Sequence, residues 1–276
     1  MKRILLTLIL LSTHARAHDG DHCHNPFFQN LRGITTGVQG FFGEYDTANE
    51  QFDYFVATAE LGYNYKNRFF ASLRVPFAHL ENDLQQRDWL LSDIQIQLQG
   101  SLLNWGQNNF LSFGVNLEIP TGNEDKYVGG GHIHYRPYIG FQQNFGEMIT
   151  YGQFGFLFSP QSHTVSGTGH VHDEDDHGEE DHVHGSVIDV HSDREATFQV
   201  GATYPILHDL YFNMSMAGQT VLTNTNANIG DFYMTANPAL TLIITERSTF
   251  TMFTQLPVTN LKRFDYRLGV GINYIF

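Results

Sequence analysis

Seven of the 15 histidines crowd into one stretch: His163, His170, His172, His177, His182, His184 and His191. Around them stand Asp173, Glu174, Asp175, Asp176, Glu179, Glu180, Asp181, Asp189 and Asp193, with no Lys or Arg inside the run. Neutral imidazole is a common ligand for Zn²⁺ and Cu²⁺, and carboxylates such as those of Asp173 and Asp176 complete such a shell. The surrounding negative field concentrates divalent cations. A second cluster, His18, His22, Cys23 and His24, joins a thiol to imidazoles, a ligand set suited to zinc or copper. A third pair, His132 and His134, precedes Arg136 at a spacing that puts all three on one face of a strand. Together the clusters suggest capture, passage and delivery of a divalent cation, with Zn or Cu as the bound or transported ion and no resident cofactor required. The plain alternative for the long His/Asp/Glu run is a solvated charge tract.

The background in which these residues sit is unusual. The chain has 276 residues, 41% hydrophobic and 14% aromatic, with 16% charged. Soluble domains carry about 25% charged residues. The net charge of −14 excludes a nucleic-acid partner bound through bulk basic charge, because phosphates need cations to displace their counterions. One cysteine excludes an intrachain disulfide framework. Residues 1–17 read as a secretory signal peptide, with Lys2 and Arg3 before the apolar Ile4 to Leu11 and an Ala15-Arg16-Ala17 cleavage site. Cleavage removes Lys2, Arg3 and Arg16 and takes the net charge from −14 to −17. Asp21 and His22 make a poor approach to Cys23 as a lipidation site.

Polar and apolar residues alternate through most of the remainder, the pattern of strands with two unlike faces. In Ser92 to Gly100, Ile94, Ile96 and Leu98 oppose three glutamines; in the last segment Phe264, Tyr266, Leu268, Val270, Ile272, Tyr274 and Phe276 oppose Asp265, Arg267, Gly269, Gly271 and Asn273. Such segments number about twelve: 33–44, 51–65, 68–79, 89–103, 109–119, 132–144, 148–159, 194–204, 209–219, 231–244, 247–258 and 264–276. Their length suits a tilted strand crossing a bilayer, which needs roughly 9–11 residues. Longer and shorter connections alternate after the first strand, as in outer-membrane barrels with short periplasmic turns and long external loops. The fold class is therefore all-β, a transmembrane antiparallel up-and-down β-barrel of about twelve strands over 33–276. The 18–32 segment is periplasmic, and the His/Asp/Glu-rich 160–193 is an extracellular loop. With apolar faces toward lipid, Glu60, Arg74, Asp93, Glu118, His134, Arg136, Glu195, Asp265 and Arg267 face the lumen. Outer-membrane lipid is the surrounding partner, and Phe276 at the end of an alternating strand resembles the signal by which the barrel assembly machinery receives such chains.

Ile119-Pro120-Thr121-Gly122-Asn123, followed by Gly129-Gly130-Gly131, resembles a family of small Gram-negative outer-membrane barrels described as transporters and linked by name to the meta pathway of phenol degradation. The resemblance implies passage of small molecules, and the reading is a channel or transporter for a small solute. The alternatives are a barrel-anchored surface metal-binding or interaction module without transport, and a porin for small aromatic or hydrophobic compounds. An enzyme is not expected. A barrel phospholipase needs a Ser/His pair on a lipid-facing strand, and His184-Gly185-Ser186 lies in the acidic loop instead. An autotransporter is not expected either, since only about fifteen residues separate the leader from the first strand.

Overall fold

A strand with one apolar and one polar face must put the two faces against different surroundings, and a closed barrel does so without leaving an open edge. The computed structural model describes residues 32–46, 51–65, 68–82, 87–105, 109–123, 128–159, 194–223, 229–245 and 247–276. It contains β1 (Arg32–Asp46), β2 (Gln51–Tyr65), β3 (Phe69–Asn82), β4 (Arg87–Leu91), β5 (Ile94–Asn104), β6 (Phe110–Ile119) and β7 (His134–Phe145). There follow β8 (Met148–Phe158), β9 (Arg194–Pro205), β10 (Leu210–Thr223), β11 (Phe232–Thr245), β12 (Ser248–Pro257) and β13 (Tyr266–Ile275). The predicted leader, the 18–31 stretch and the 160–193 loop lie outside the described residues.

Neighbours in sequence pair antiparallel around a ring, and β13 returns to pair with β1, so the sheet is closed. Twelve staves make the wall, because β4 and β5 both pair with β3 and together form the fourth. The break between them is a bulge. Phe77 pairs with Leu91 and Arg74 with Gln95, leaving Ser92, Asp93 and Ile94 opposite only Val75 and Pro76. Pro76 has no N–H for a ladder, and its carbonyl accepts instead from the Ser92 amide at 3.0 Å. The extra residue turns Ser92 and Asp93 to the same side, so both are buried on the inner face.

The start of β1 and the end of β13 lie at one end with the short turns; the end of β8, the start of β9, the end of β6 and the start of β7 lie at the other. The ends of β1 and β3 and the start of β4 run further than the alternation predicts. Only residues 47–50 separate β1 from β2, and 83–86 separate β3 from β4, so loop length contrasts less there than expected.

The outer face is apolar along its length, with Val38, Phe42, Leu61, Leu268 and Ile272 each more than half exposed. The inner face is the reverse: Gln95, Gln97, Gln99, Ser112, Asn116, Gln199, Thr251 and Gln255 are all buried. Phe264 departs from the alternation. Alternation puts it on the lipid side with Tyr266, but β13 begins only at Tyr266 and Phe264 is buried at 2% exposure beneath Arg267. Asp265, expected to face the lumen, also precedes β13, and its carboxylate meets Lys262 Nζ at 2.6 Å in partly exposed surroundings. Parity extrapolated past the end of a strand fails because the period-2 geometry ends there.

Candidate functional site

Because barrel strands tilt, a row of cross-strand neighbours climbs as it goes round the wall. One inner row runs Asn273, Gly37, Glu60, Arg74, Gln95, Glu118, His134 through β13, β1, β2, β3, β5, β6 and β7. It starts near the chain's end, on the short-turn side, and finishes at the first residue of β7 on the long-loop side. Glu60 Oε2 lies 3.3 Å from Arg74 Nε, and Glu118 Oε1 lies 3.9 Å from His134 Nδ1. Asn273 lies directly over Gly37, where a Cβ would stand 2.3 Å from its Oδ1. A crevice lined by Gly37, Gln39, Thr58, Glu60, Arg74 and Asn273 opens on this row.

The next row is neutral until its head: Ile275, Thr35, Gly62, Ser72, Gln97, Asn116, Arg136. Amides and hydroxyls are cross-bonded beside it. Gln97 Nε2 donates to the Tyr138 hydroxyl at 2.9 Å, which donates to Gln99 Oε1 at 2.9 Å, while Gln99 Nε2 donates to Ser112 Oγ at 2.8 Å. The opposite wall repeats the chemistry with Gln199, Ser215, Asn237 and Gln255.

Above the polar rows lies an apolar one: Ala239, Phe253, Gly269, Phe41, Val56, Ala78, Leu90. Val128, from the connection between β6 and β7, is fully buried in the cluster these side chains form. The described residues at the two ends of that connection therefore fold inward, and Asp93 holds them. Asp93 Oδ1 accepts from the Gly122 amide at 2.7 Å and Oδ2 from the Gly130 amide at 2.6 Å. Ser92 Oγ donates to the Val128 carbonyl at 2.6 Å, and Thr121 Oγ1 donates to the Ser92 carbonyl at 2.9 Å. Glycine is required at 122, since a Cβ would lie 2.5 Å from the Val128 carbonyl oxygen and 2.7 Å from Gly129 Cα. The Pro-Thr-Gly and Gly-Gly-Gly segments are thus the two halves of one latch around a carboxylate.

Glu195 is bound by Arg263, whose Nη1 also donates to Gln219 Oε1 at 2.8 Å and whose guanidinium lies 4.4 Å from the Tyr233 ring centroid. Arg267 Nε donates to the Tyr54 hydroxyl at 2.6 Å, with the Phe264 ring 4.1 Å away. Arg136 is buried beside Asn116. Arg263, Tyr54, Ser92 and Val128 were not identifiable from alternation, because Arg263, Ser92 and Val128 lie outside regular strands and Tyr54 reads as one more aromatic.

Of the histidines proposed as metal ligands, His134 heads the charged row, and His132 is half-buried just before β7 and so shares no strand face with it. Among the described residues no three His, Cys, Asp or Glu side chains converge as a metal site would require. His163, His170, His172, Asp173, Asp176, His177, His182, His184 and His191, with His18, His22, Cys23 and His24, lie outside the described residues.

The fold has solved counterparts. An outer membrane channel from Pseudomonas putida F1 superposes with a TM-score of 0.65 at 13% identity, covering 90% of this chain and 98% of that one. The NanC porin gives 0.58 at 12% identity over 87% and 98%, and the KdgM porin 0.55 at 12% over 88% and 99%. At such identity the likeness is one of fold: the chain is a closed β-barrel of the outer-membrane kind. No family model matches the sequence, and no curated protein matches it by sequence.

Proposed function

We propose that the protein is an outer-membrane channel for a small polar solute, seated in lipid through its apolar exterior and inserted there by the barrel assembly machinery. The observation that carries this reading is the climbing row from Asn273 to His134. It offers hydrogen-bonding groups at successive heights along a wall whose outside is apolar. Such side chains can replace a solute's water step by step, which an inert membrane anchor has no need to do. The inward connection carrying Val128 narrows the path and selects for size. Non-enzymatic function is part of the same reading, supported by the rows of amides and paired ions that the described residues of the inner wall present.

The purified barrel in planar bilayers is expected to give discrete conductance steps. Protein that inserts with a folded barrel's heat-shifted gel mobility but passes no current contradicts the channel.

A second element of the proposal is metal capture by the 163–191 segment, supported by its density of imidazole and carboxylate groups. Zinc or copper bound there feeds the outer mouth. Deleting 163–191 is expected to abolish most zinc binding measured by calorimetry while leaving the conductance steps. Unchanged zinc affinity in the deletion variant rules out capture.

A further inference from the structure

Among the described residues, the inward arginines Arg74, Arg263 and Arg267 each have a partner and Arg136 differs from them. Arg74 meets Glu60, Arg263 meets Glu195 and Gln219, and Arg267 meets the Tyr54 hydroxyl and the Phe264 ring. Arg136 is 2% exposed, and none of its Nε, Nη1 and Nη2 atoms has a hydrogen-bond acceptor among the described residues. A guanidinium stays protonated in proteins, so this is a buried charge whose three nitrogens no described residue satisfies.

Its surroundings explain why the described wall supplies no partner. Directly across on β6 stands Asn116, a neutral amide, and beyond it Gln97. The acid on the same face of β6, Glu118, is two pairs further out and faces His134 at 3.9 Å. On the other side, the pairing of β7 with β8 is interrupted between Tyr135 and Tyr138, because Pro137 has no N–H to give. A charged fork therefore heads a row of neutral groups, just below the latch that folds the β6–β7 connection inward.

We propose that Arg136 is the docking point for a carboxylate-bearing solute passing through the barrel, a deepening that rests on the channel reading above. The planar fork of arginine matches a carboxylate with two parallel N–H···O bonds, which a lysine cannot copy. Charge and shape also fit. One guanidinium neutralises one carboxylate, and the neutral row of Asn116, Gln97 and Ser72 then offers polar contact without a competing acid. A solute held at one buried cation and released along uncharged neighbours is bound firmly enough to enter and weakly enough to leave.

The test uses the full-length barrel in planar bilayers under a potassium acetate gradient, comparing wild type with Arg136→Gln and Arg136→Lys. Wild type should reverse on the anion side. Arg136→Gln should lower the acetate-to-potassium permeability ratio several-fold, with Arg136→Lys between the two. A conducting Arg136→Gln channel with the wild-type ratio overturns the proposal and leaves Arg136 satisfied by water only. If wild type passes no current, the channel reading has failed, and the docking point is judged by thermal unfolding in detergent. Sodium acetate should then raise the midpoint of wild type, relative to sodium chloride at equal ionic strength, and not that of Arg136→Gln. Equal responses of the two proteins overturn it. The unfolding curve of Arg136→Gln also shows whether that variant folds.

Discussion

Asp93 spends both carboxylate oxygens on backbone amides of one connection, Gly122 and Gly130, at 2.7 and 2.6 Å. An ionised acceptor with two backbone donors is among the stronger hydrogen-bonded arrangements a protein makes. Asp93→Asn keeps the shape and loses the symmetry, since an amide has one acceptor oxygen and its NH₂ would face an N–H. One bond is lost and two donors are left facing each other, which costs about 1–3 kcal/mol. The expected outcome is a lower denaturation midpoint in detergent together with a larger single-channel conductance. The conductance rises because the connection that carries Val128 into the apolar row loses half its anchor. Equal conductance and stability in the variant would mean that the latch holds nothing.

At the scale of elements, β5 and β6 show what alternation can reveal. Each has one side of Ile, Leu, Val or Phe and another of Gln, Ser, Asn or Glu, and a strand obeys that division wherever its hydrogen-bond ladder is regular. The twelve-stave barrel was legible for this reason. Two kinds of feature were not. The bulge at Ser92 and Asp93 adds one residue against β3, and nothing in the alternation of Ile94, Ile96 and Leu98 announces it. Pro76 is the only hint, as a residue that cannot donate within a central strand. The other kind lies beyond strand ends. Phe264 and Asp265 continue the pattern of β13 by letter but not by geometry, and Arg263, which binds Glu195, belongs to no periodic segment. The Pro-Thr-Gly motif could be recognised, yet its partner Asp93 is far away in sequence and is brought to it only by the pairing of β5 with β6.

For the whole molecule, the division between faces decides which solvent the barrel can tolerate. Val270 lies midway along β13 with its side chain 45% exposed on the apolar exterior, while Leu207 is 65% exposed in the turn that joins β9 to β10. In water the two positions would accept a charge alike. In a bilayer they differ, because a cation at the hydrocarbon midplane costs about 2–4 kcal/mol and one near the interface about 0–1 kcal/mol. Val270→Arg is therefore expected to destabilise the barrel in phosphatidylcholine vesicles by about 2–4 kcal/mol and Leu207→Arg by about 0–1 kcal/mol, measured as the shift in reversible denaturant unfolding. The same pair in detergent micelles should show a smaller difference, since a micelle deforms around a charge more readily than a bilayer does. Equal shifts for both variants in vesicles would place Val270 outside the hydrocarbon and remove the lipid-facing assignment of the exterior. With it would go the inward assignment of the polar rows, because the two faces of a strand cannot be assigned separately.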